Sequence, residues 1–316
     1  MTKHVLISGG AGFIGANFIA YLLKNTEYSI TNADCLTYAA SLENIQSFTS
    51  SERYRFIQYD IGSSEKESEI FDQKYDAIIN FAAETHVDRS ISNASPFIYT
   101  NINGTFHLLQ AVLDGKADRM IQISTDEVYG SLSPYESPFT EHSALLPNNP
   151  YSASKASADL LVRSYYQTHS LPVIITRCSN NYGPMQHLEK FIPKVITHAL
   201  TDKKIPLYGD GLNIRDWIFV EDHCRAIHMV LEQGKAGEVY NIGGNTEKTN
   251  RDVIEEIVKQ TGKKNDMIEY VEDRKGHDRR YAINSTKIEK ELGWSPSISF
   301  HEGIKRTIEW YRKRLG

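Results

Sequence analysis

Seven residues near the start of the chain, Gly9-Gly10-Ala11-Gly12-Phe13-Ile14-Gly15, set the tightest limit on what it can fold into. They follow a short apolar run, HVLIS at 4–8, and open an amphipathic stretch at 13–25. Read from Gly10 they spell GxGxxG, and from Gly9 GxxGxxG. Such a turn reverses tightly, lets backbone approach a pyrophosphate, and presents the free N–H groups of a helix start to negative charge. The bare pattern also occurs in turns that hold no ligand. Here, however, Asp34 closes the second apolar run 19 residues beyond Gly15, the spacing of a carboxylate that takes the adenine ribose hydroxyls. A carboxylate repels a 2′-phosphate, and no Arg follows in Cys35-Leu36-Thr37, so the expected dinucleotide is NAD rather than NADP. Gly9, Gly12, Gly15 and Asp34 are its first candidate ligands.

The rest of the first half repeats the same alternation. Apolar, β-branched runs at 29–33, 54–58, 76–81, 120–124 and 172–177 are separated by helical patterns at 96–113 and 151–169, as in a parallel sheet covered by helices. Beyond about residue 178 the pattern loosens into Gly- and Pro-containing loops, with helices expected near 221–233, 250–260 and 301–313 and a strand VYNIG at 239–243. The expected fold is α/β: a Rossmann-type doubly wound parallel sheet over 1–178, with a smaller C-terminal α/β substrate-binding lobe over 179–316. Segments around 215–242 are expected to pack back onto the first domain.

Composition narrows the function classes. A net charge of −5 from 35 basic and 40 acidic residues, with pI near 6.1, argues against a broad nucleic-acid surface. No apolar run approaches the roughly 18 residues that cross a bilayer, and MTKHVLISGG lacks the build of a signal peptide. Cys35, Cys178 and Cys224 are far apart, odd in number and without zinc spacing, so no metal site is expected and a reducing cytoplasm is the expected location.

Two short constellations carry chemistry. Asn148-Asn149-Pro150 caps a helix that begins at Tyr151, and the four-residue step to Lys155 puts both side chains on one face. There the ammonium is expected to lower the phenol's pKa and let Tyr151 act as a base. The fifth apolar run ends in Thr125-Asp126-Glu127, at the strand edge where open α/β sheets bind ligands. Adjacent carboxylates there are often a solvated turn, but in one cleft they can be held at different pKa values, one as acid and one as base.

GGAGFIG, Asp34, AAETHVDRS (82–90), ISTDEVYG (123–130), YSASK (151–155) and SNNYGP (179–184) together resemble the extended short-chain dehydrogenase/reductase superfamily and, within it, the dTDP-glucose 4,6-dehydratase family. LYGDG (207–211), Arg215-Asp216-Trp217 and DRKGHDRRYAIN (273–284) extend the likeness over nearly the whole chain. The resemblance implies an internal redox cycle on a dTDP-sugar: Tyr151, with Lys155 and Thr125, oxidises C4 against NAD, Glu127 removes the C5 proton, and Asp126 protonates the departing 6-hydroxyl. It implies NAD contacts at Phe13, Ile14, Asp34, Leu36, Thr37, Asp60, Ile61, Ala82, Ala83, Thr100, Tyr151, Lys155 and Asn181. It implies sugar-nucleotide contacts at Thr85, Thr125, Asn180, Lys190, Phe191, Pro206, Tyr208, Arg215, Asn250, Asp273, Arg274 and His277, with Arg215 and Arg274 the leading partners of the diphosphate. By the same analogy the helices at 96–113 and 151–169 build a homodimer. Cys35, Ala40, Thr85 and Lys275 depart from the family's usual Lys, Gly, Ser and Pro, and none of them is catalytic. A UDP-sugar 4-epimerase shares Tyr151 and Lys155 but has no use for Asp126 and Glu127 as an acid and base, and dehydratases of other nucleotide sugars differ mainly in the base pocket.

Overall fold

Burial on both faces makes the strands of a parallel sheet near-continuous apolar runs, and six such runs align in the computed structural model, which describes residues 2–63, 65, 67–273 and 278–315, apart from the side chain of Ser68. In chain order the strands are β1 (His4–Ser8), β2 (Ser29–Asp34), β3 (Tyr54–Gln58), β4 (Ala77–Asn80), β5 (Met120–Thr125), β6 (Val173–Cys178), β7 (Asn180–Tyr182), β8 (Ile205–Tyr208), β9 (Ile214–Phe219), β10 (Val239–Ile242), β11 (Glu247–Thr249) and β12 (Ile268–Val271). The main sheet has seven strands in the order β10-β6-β5-β4-β1-β2-β3. All its pairings are parallel. The order reverses between β1 and β4, the switch point at which such sheets open a ligand crevice.

The pleat sends alternate residues to two cores. Val5 and Ile7 of β1 join Ala77 and Ile79 of β4 on one face, beneath the helix Phe13–Asn25. Leu6 and Ile78 face the other core, covered by the helices Thr105–Leu113 and Pro150–His169. Cys224, Ile227, Val230 and Leu231 of the helix Val220–Gln233 are buried in the first core, as are Ile288, Leu292 and Trp294. Apolar side chains late in the chain thus complete a core begun by its first residues.

The smaller lobe gathers Ile192, Val195, Ile196, Trp217, Val253, Ile254, Ile304 and Ile308 into a separate core. Around it lie the sheet β11-β9-β7, the pair β12-β8, and the helices Phe191–Leu200, Asn250–Gln260 and Phe300–Leu315. Here the sequence expectation of loops is corrected. The strands β7, β8, β9, β11 and β12 and the helix Phe191–Leu200 fall where no element was expected. Runs of three to six residues are too short to establish a period. The expected helix at 96–113 is also modified, because Ile98–Gly104 winds as a π-helix inside it. That widened turn, a form often found at functional sites, carries Thr100 and Asn101.

Candidate active site

The strand ends of the main sheet converge on one cavity, lined by Gly12, Phe13, Ile14, Asp34, Thr37, Asp60, Ile61, Ala82, Ala83, Thr100, Tyr151, Lys155 and Asn181 among others. Two glycines of the turn serve the fold itself. Gly9 has φ +75°, and a Cβ there would lie 2.5 Å from the Ala82 nitrogen; one on Gly15 would lie 2.4 Å from the Gly9 oxygen. Gly12 differs, for a Cβ there would meet only the Gly9 oxygen, at 3.3 Å, and the residue faces the cavity. It begins the helix Phe13–Asn25 with no side-chain cap, leaving the first N–H groups for an anion.

Asp34 closes β2 with its carboxylate fixed by two backbone donors, Ala11 N–H to Oδ2 at 2.9 Å and Leu36 N–H to Oδ1 at 2.8 Å. Burial raises its pKa and those bonds hold it down. Leu36 packs into the core beneath the helix, so of the residues expected at the dinucleotide, Gly9, Gly15 and Leu36 shape the turns without lining the cavity. Asn101, on the π-helical turn, pins the loop after β4: its Oδ1 accepts from Glu84 N–H at 2.9 Å and its Nδ2 donates to Ser154 Oγ at 2.8 Å. Neither it nor His223, whose Nδ1 donates to Asn181 Oδ1 at 2.8 Å, was found from sequence. Ser124 Oγ, Asp126 Oδ2, Asn180 Oδ1 and Gln186 Oε1, all on residues of the wall, are buried with no protein partner. With the bare turn and the fixed ribose-spaced carboxylate, these polar positions fit a dinucleotide.

Tyr151 and Lys155 rise from the start of the helix Pro150–His169, which Asn149 and Ser152 cap reciprocally. Both are buried on the cavity wall. The expected lowering of the phenol's pKa is not seen. Burial first and the Glu127 charge next push Tyr151 well above its ordinary value, with a Thr125 hydrogen bond opposing. The Lys155 ammonium donates to the Ile123 carbonyl at 2.6 Å, and burial lowers its own pKa while Asp159 supports the charge.

The paired carboxylates are electrostatically unequal. Thr125 caps a short 3₁₀ turn, its Oγ1 accepting from Glu127 N–H at 3.2 Å and donating to Asp126 Oδ1 at 3.3 Å. Asp126 is buried, and its pKa stands well above the carboxylate range, through burial first and then the charges of Glu127 and Asp216. Glu127 is raised by burial as well, but Arg215, Lys190 and a hydrogen bond from Asn149 pull it back. Asp126 is thus the more strongly favoured in its protonated form, while the neighbouring cations draw Glu127 back toward its charged form.

A second cavity, toward the smaller lobe, is lined by Thr85, Asn180, Lys190, Phe191, Tyr208, Arg215 and Asn250, together with Trp217, Asp278 and Tyr281, which the sequence did not single out. Thr85, Glu127, Asn180, Asn181, Gln186 and Lys190 line both cavities, which therefore meet beside the carboxylate pair. Thr125 lines the first cavity alone. Pro206, paired with Glu269 across β8 and β12, and Asp273 are not on the second cavity's wall. Arg274 and His277 lie outside the described residues. Arg215 is oriented by NH2 donating to the Asp278 carbonyl at 2.9 Å and by its guanidinium 4.4 Å from the Tyr281 ring centre.

A Rossmann-type sheet, a glycine turn, a Tyr/Lys pair and a lobe facing the same cleft define an enzyme of the extended short-chain dehydrogenase/reductase class. Within it the chain belongs to the GDP-mannose 4,6 dehydratase family, whose model matches residues 6–307. It is 52% identical over 307 residues to the low-salt glycan biosynthesis protein Agl12 of Haloferax volcanii, covering 97% of this chain and 98% of that one. It is 49% identical over 332 residues to the dTDP-glucose 4,6-dehydratase of Salmonella typhimurium, covering 97% and 92%. Among solved structures, the dTDP-glucose 4,6-dehydratase of Bacillus anthracis in complex with NAD superposes with a TM-score of 0.92 at 50% identity, covering 99% of this chain and 97% of that one.

Proposed function

We propose that this enzyme dehydrates dTDP-glucose to dTDP-4-keto-6-deoxyglucose with NAD as an internally recycled cofactor. The observation that carries the reading is the unequal carboxylate pair, Asp126 and Glu127, where the dinucleotide cavity meets the second cavity. An epimerase exchanging configuration at C4 has no work for such a pair. The names of the dehydratase relatives supply the thymidine nucleotide.

When bound, NAD accepts a hydride from the sugar's C4 and returns it at C6. The chain's own residues move protons. Tyr151 receives the proton of the 4-hydroxyl, with Thr125 and the buried Lys155 charge beside it to stabilise the phenolate. The resulting 4-ketone acidifies C5–H, and Glu127, whose charged form Arg215 and Lys190 favour against burial, takes that proton. Asp126, kept protonated by burial, gives its proton to the 6-hydroxyl, which leaves as water. As C6 receives the hydride, Glu127 returns a proton, exchanged with solvent, to C5, and the proton that Tyr151 gained balances the one that Asp126 gave up. Arg215 offers the guanidinium fork suited to the diphosphate. In this reading residues 1–178 hold the dinucleotide and 179–316 mainly hold the sugar nucleotide.

The protein acts in the cytoplasm, a reading supported by three free thiols and by the absence, among the described residues, of a helix long and apolar enough to cross a membrane. A homodimer is supported by the exposed Ile98, Phe106, Leu113 and Leu160 on the two helical segments named above. Sedimentation should give twice the chain mass, and Phe106→Glu should reduce it to one.

Incubation with dTDP-glucose in deuterated water, without added NAD, tests the reaction. The expected product has lost one water, carries solvent deuterium at C5 and leaves no net NADH. A product isomeric with the substrate would replace this reading by epimerisation.

A further inference from the structure

Three loops form one wall of the dinucleotide cavity, and they are tied to each other by a cluster centred on Arg89 and Tyr38, neither of which any step above uses. Thr37 and Ala39 line the cavity on either side of Tyr38; Glu84 and Thr85 line it from the loop after β4; His187 and Lys190 line it from the segment before the helix Phe191–Leu200. Arg89, in the short helix Val87–Ser92, lays its guanidinium 3.5 Å from the Tyr38 ring centre and faces Glu189 at 3.7 Å. His86 meets the same carboxylate at 3.7 Å, and His187 stands edge-on to Tyr38 with ring centres 6.0 Å apart. Lys190 Nζ donates to the Thr85 carbonyl at 3.1 Å. Asn17 Nδ2, from the helix that opens at the glycine turn, donates to the Pro184 carbonyl at 3.0 Å and tethers the third loop from below.

We infer that Arg89, seated on Tyr38 and facing Glu189, is the clasp that retains the dinucleotide between the two halves of the reaction. The inference rests on the proposed cycle, in which loss of the reduced cofactor after C4 oxidation would strand a 4-keto sugar whose C6 could no longer receive the hydride. Release must therefore be slower than turnover, and the contacts that join the loops of the cavity wall set that rate. Arg89 is a positioning residue, since it acts through Tyr38 and Glu189. Its removal leaves the Glu84 and Glu189 carboxylates on adjacent loops with one cation fewer between them, so the wall both loses an attraction and gains a repulsion.

The test loads the full-length protein with NADH and follows its fluorescence during a chase with excess NAD, with no sugar nucleotide present. Arg89→Ala and Tyr38→Leu are each expected to speed release by about tenfold, the scale of a partly desolvated cation–π contact. Tyr38→Phe, which keeps the ring, is expected to release at the wild-type rate and so separates the clasp from the Tyr38 hydroxyl. The double variant Arg89→Ala/Tyr38→Leu should be no faster than the faster single one, because both break one joint. Release within about twofold of wild type in both Arg89→Ala and Tyr38→Leu would overturn the clasp. A wild-type protein that fails to hold NADH at all would overturn the cofactor reading and the clasp together. Retention altered as expected in a protein that leaves dTDP-glucose unchanged would support the clasp and remove the substrate.

Discussion

The two cavities that meet at Glu127 are built in different ways. The dinucleotide side leans on backbone: a glycine turn, an uncapped helix start, and a carboxylate locked by two amides. The second side leans on side chains, with Lys190, Tyr208, Arg215, Trp217 and Asn250 brought from separate elements of the smaller lobe. Backbone recognition suits a part that every member of a broad class shares. Side-chain recognition suits the part that varies, because a guanidinium or a ring can be exchanged without rebuilding a sheet. The groups proposed as catalytic, Thr125, Asp126, Glu127, Tyr151 and Lys155, all come from the sheet side, so the sheet side is expected to carry the chemistry and the smaller lobe to govern binding while lending Arg215 and Lys190 to the field at Glu127.

Kinetics can break that division, beginning with the largest effect. Tyr151→Phe removes the proton acceptor and should lower kcat by about 10²–10⁴-fold, the usual worth of a positioned acid or base, with little change in the Kd for thymidine diphosphate measured by calorimetry. Glu127→Gln should stop water loss to a similar degree while C4 oxidation continues, seen as enzyme-bound NADH absorbance. A variant that dehydrates at the normal rate would move the base elsewhere. Arg215→Ala should raise KM roughly 10- to 100-fold as one charge-assisted contact is lost, and should also lower kcat and move the acidic limb of the pH profile upward, because Glu127 loses a neighbouring cation.

The smallest effects are pH-dependent. Activity should follow a bell, lost at low pH as Glu127 gains a proton and at high pH as Asp126 loses its own. Asp126→Asn should flatten the alkaline limb while lowering kcat. Because burial raises Asp126, that residue favours the fold only below its unfolded value near 3.8 and opposes it once pH passes the folded value. Asp126→Asn should therefore raise the melting temperature at pH 8 and leave it unchanged at pH 3. His223 works in the other direction. Burial pushes its ring down to about 3 from 6.5, so its contribution is complete above 6.5 and is lost as pH falls toward 3. The slope is about 1.4 kcal/mol per pH unit. His223→Gln should flatten that part of the stability curve in chemical denaturation.

Legibility in the sequence follows the same boundary. The strands β1 to β6 and the helices Phe13–Asn25 and Pro150–His169 stand within a residue or two of their expected positions, because short apolar runs alternate there with long helical patterns that have recognisable starts. Pro150 and the Asn149 cap marked the origin of the helix that carries Tyr151 and Lys155. The π-helical turn at Ile98–Gly104 left no mark, since its residues continue the helical pattern and only the crowding of Gly104 against Ile61 shows how close the helix comes to the loop. Asn101 and His223 escaped because a polar residue within a helix looks the same whether it meets water or a loop from elsewhere in the chain. Trp217 and Tyr281 stood inside the matched segments Arg215-Asp216-Trp217 and DRKGHDRRYAIN without being singled out, and only the packing of the lobe turned them toward the cleft.

Local order along the chain thus determined the glycine turn, the Asp34 spacing, the Tyr151–Lys155 step and the adjacency of Asp126 and Glu127, since strand and helix geometry fix relations over a few residues. Tertiary structure alone decided that Lys190 lies beside Glu127 and Asp216 beside Asp126, while the Arg215 charge reaches both carboxylates. That arrangement makes two neighbouring carboxylates different. Their sequence positions are equivalent, but the field and burial each one meets come from residues about 60 to 90 positions away.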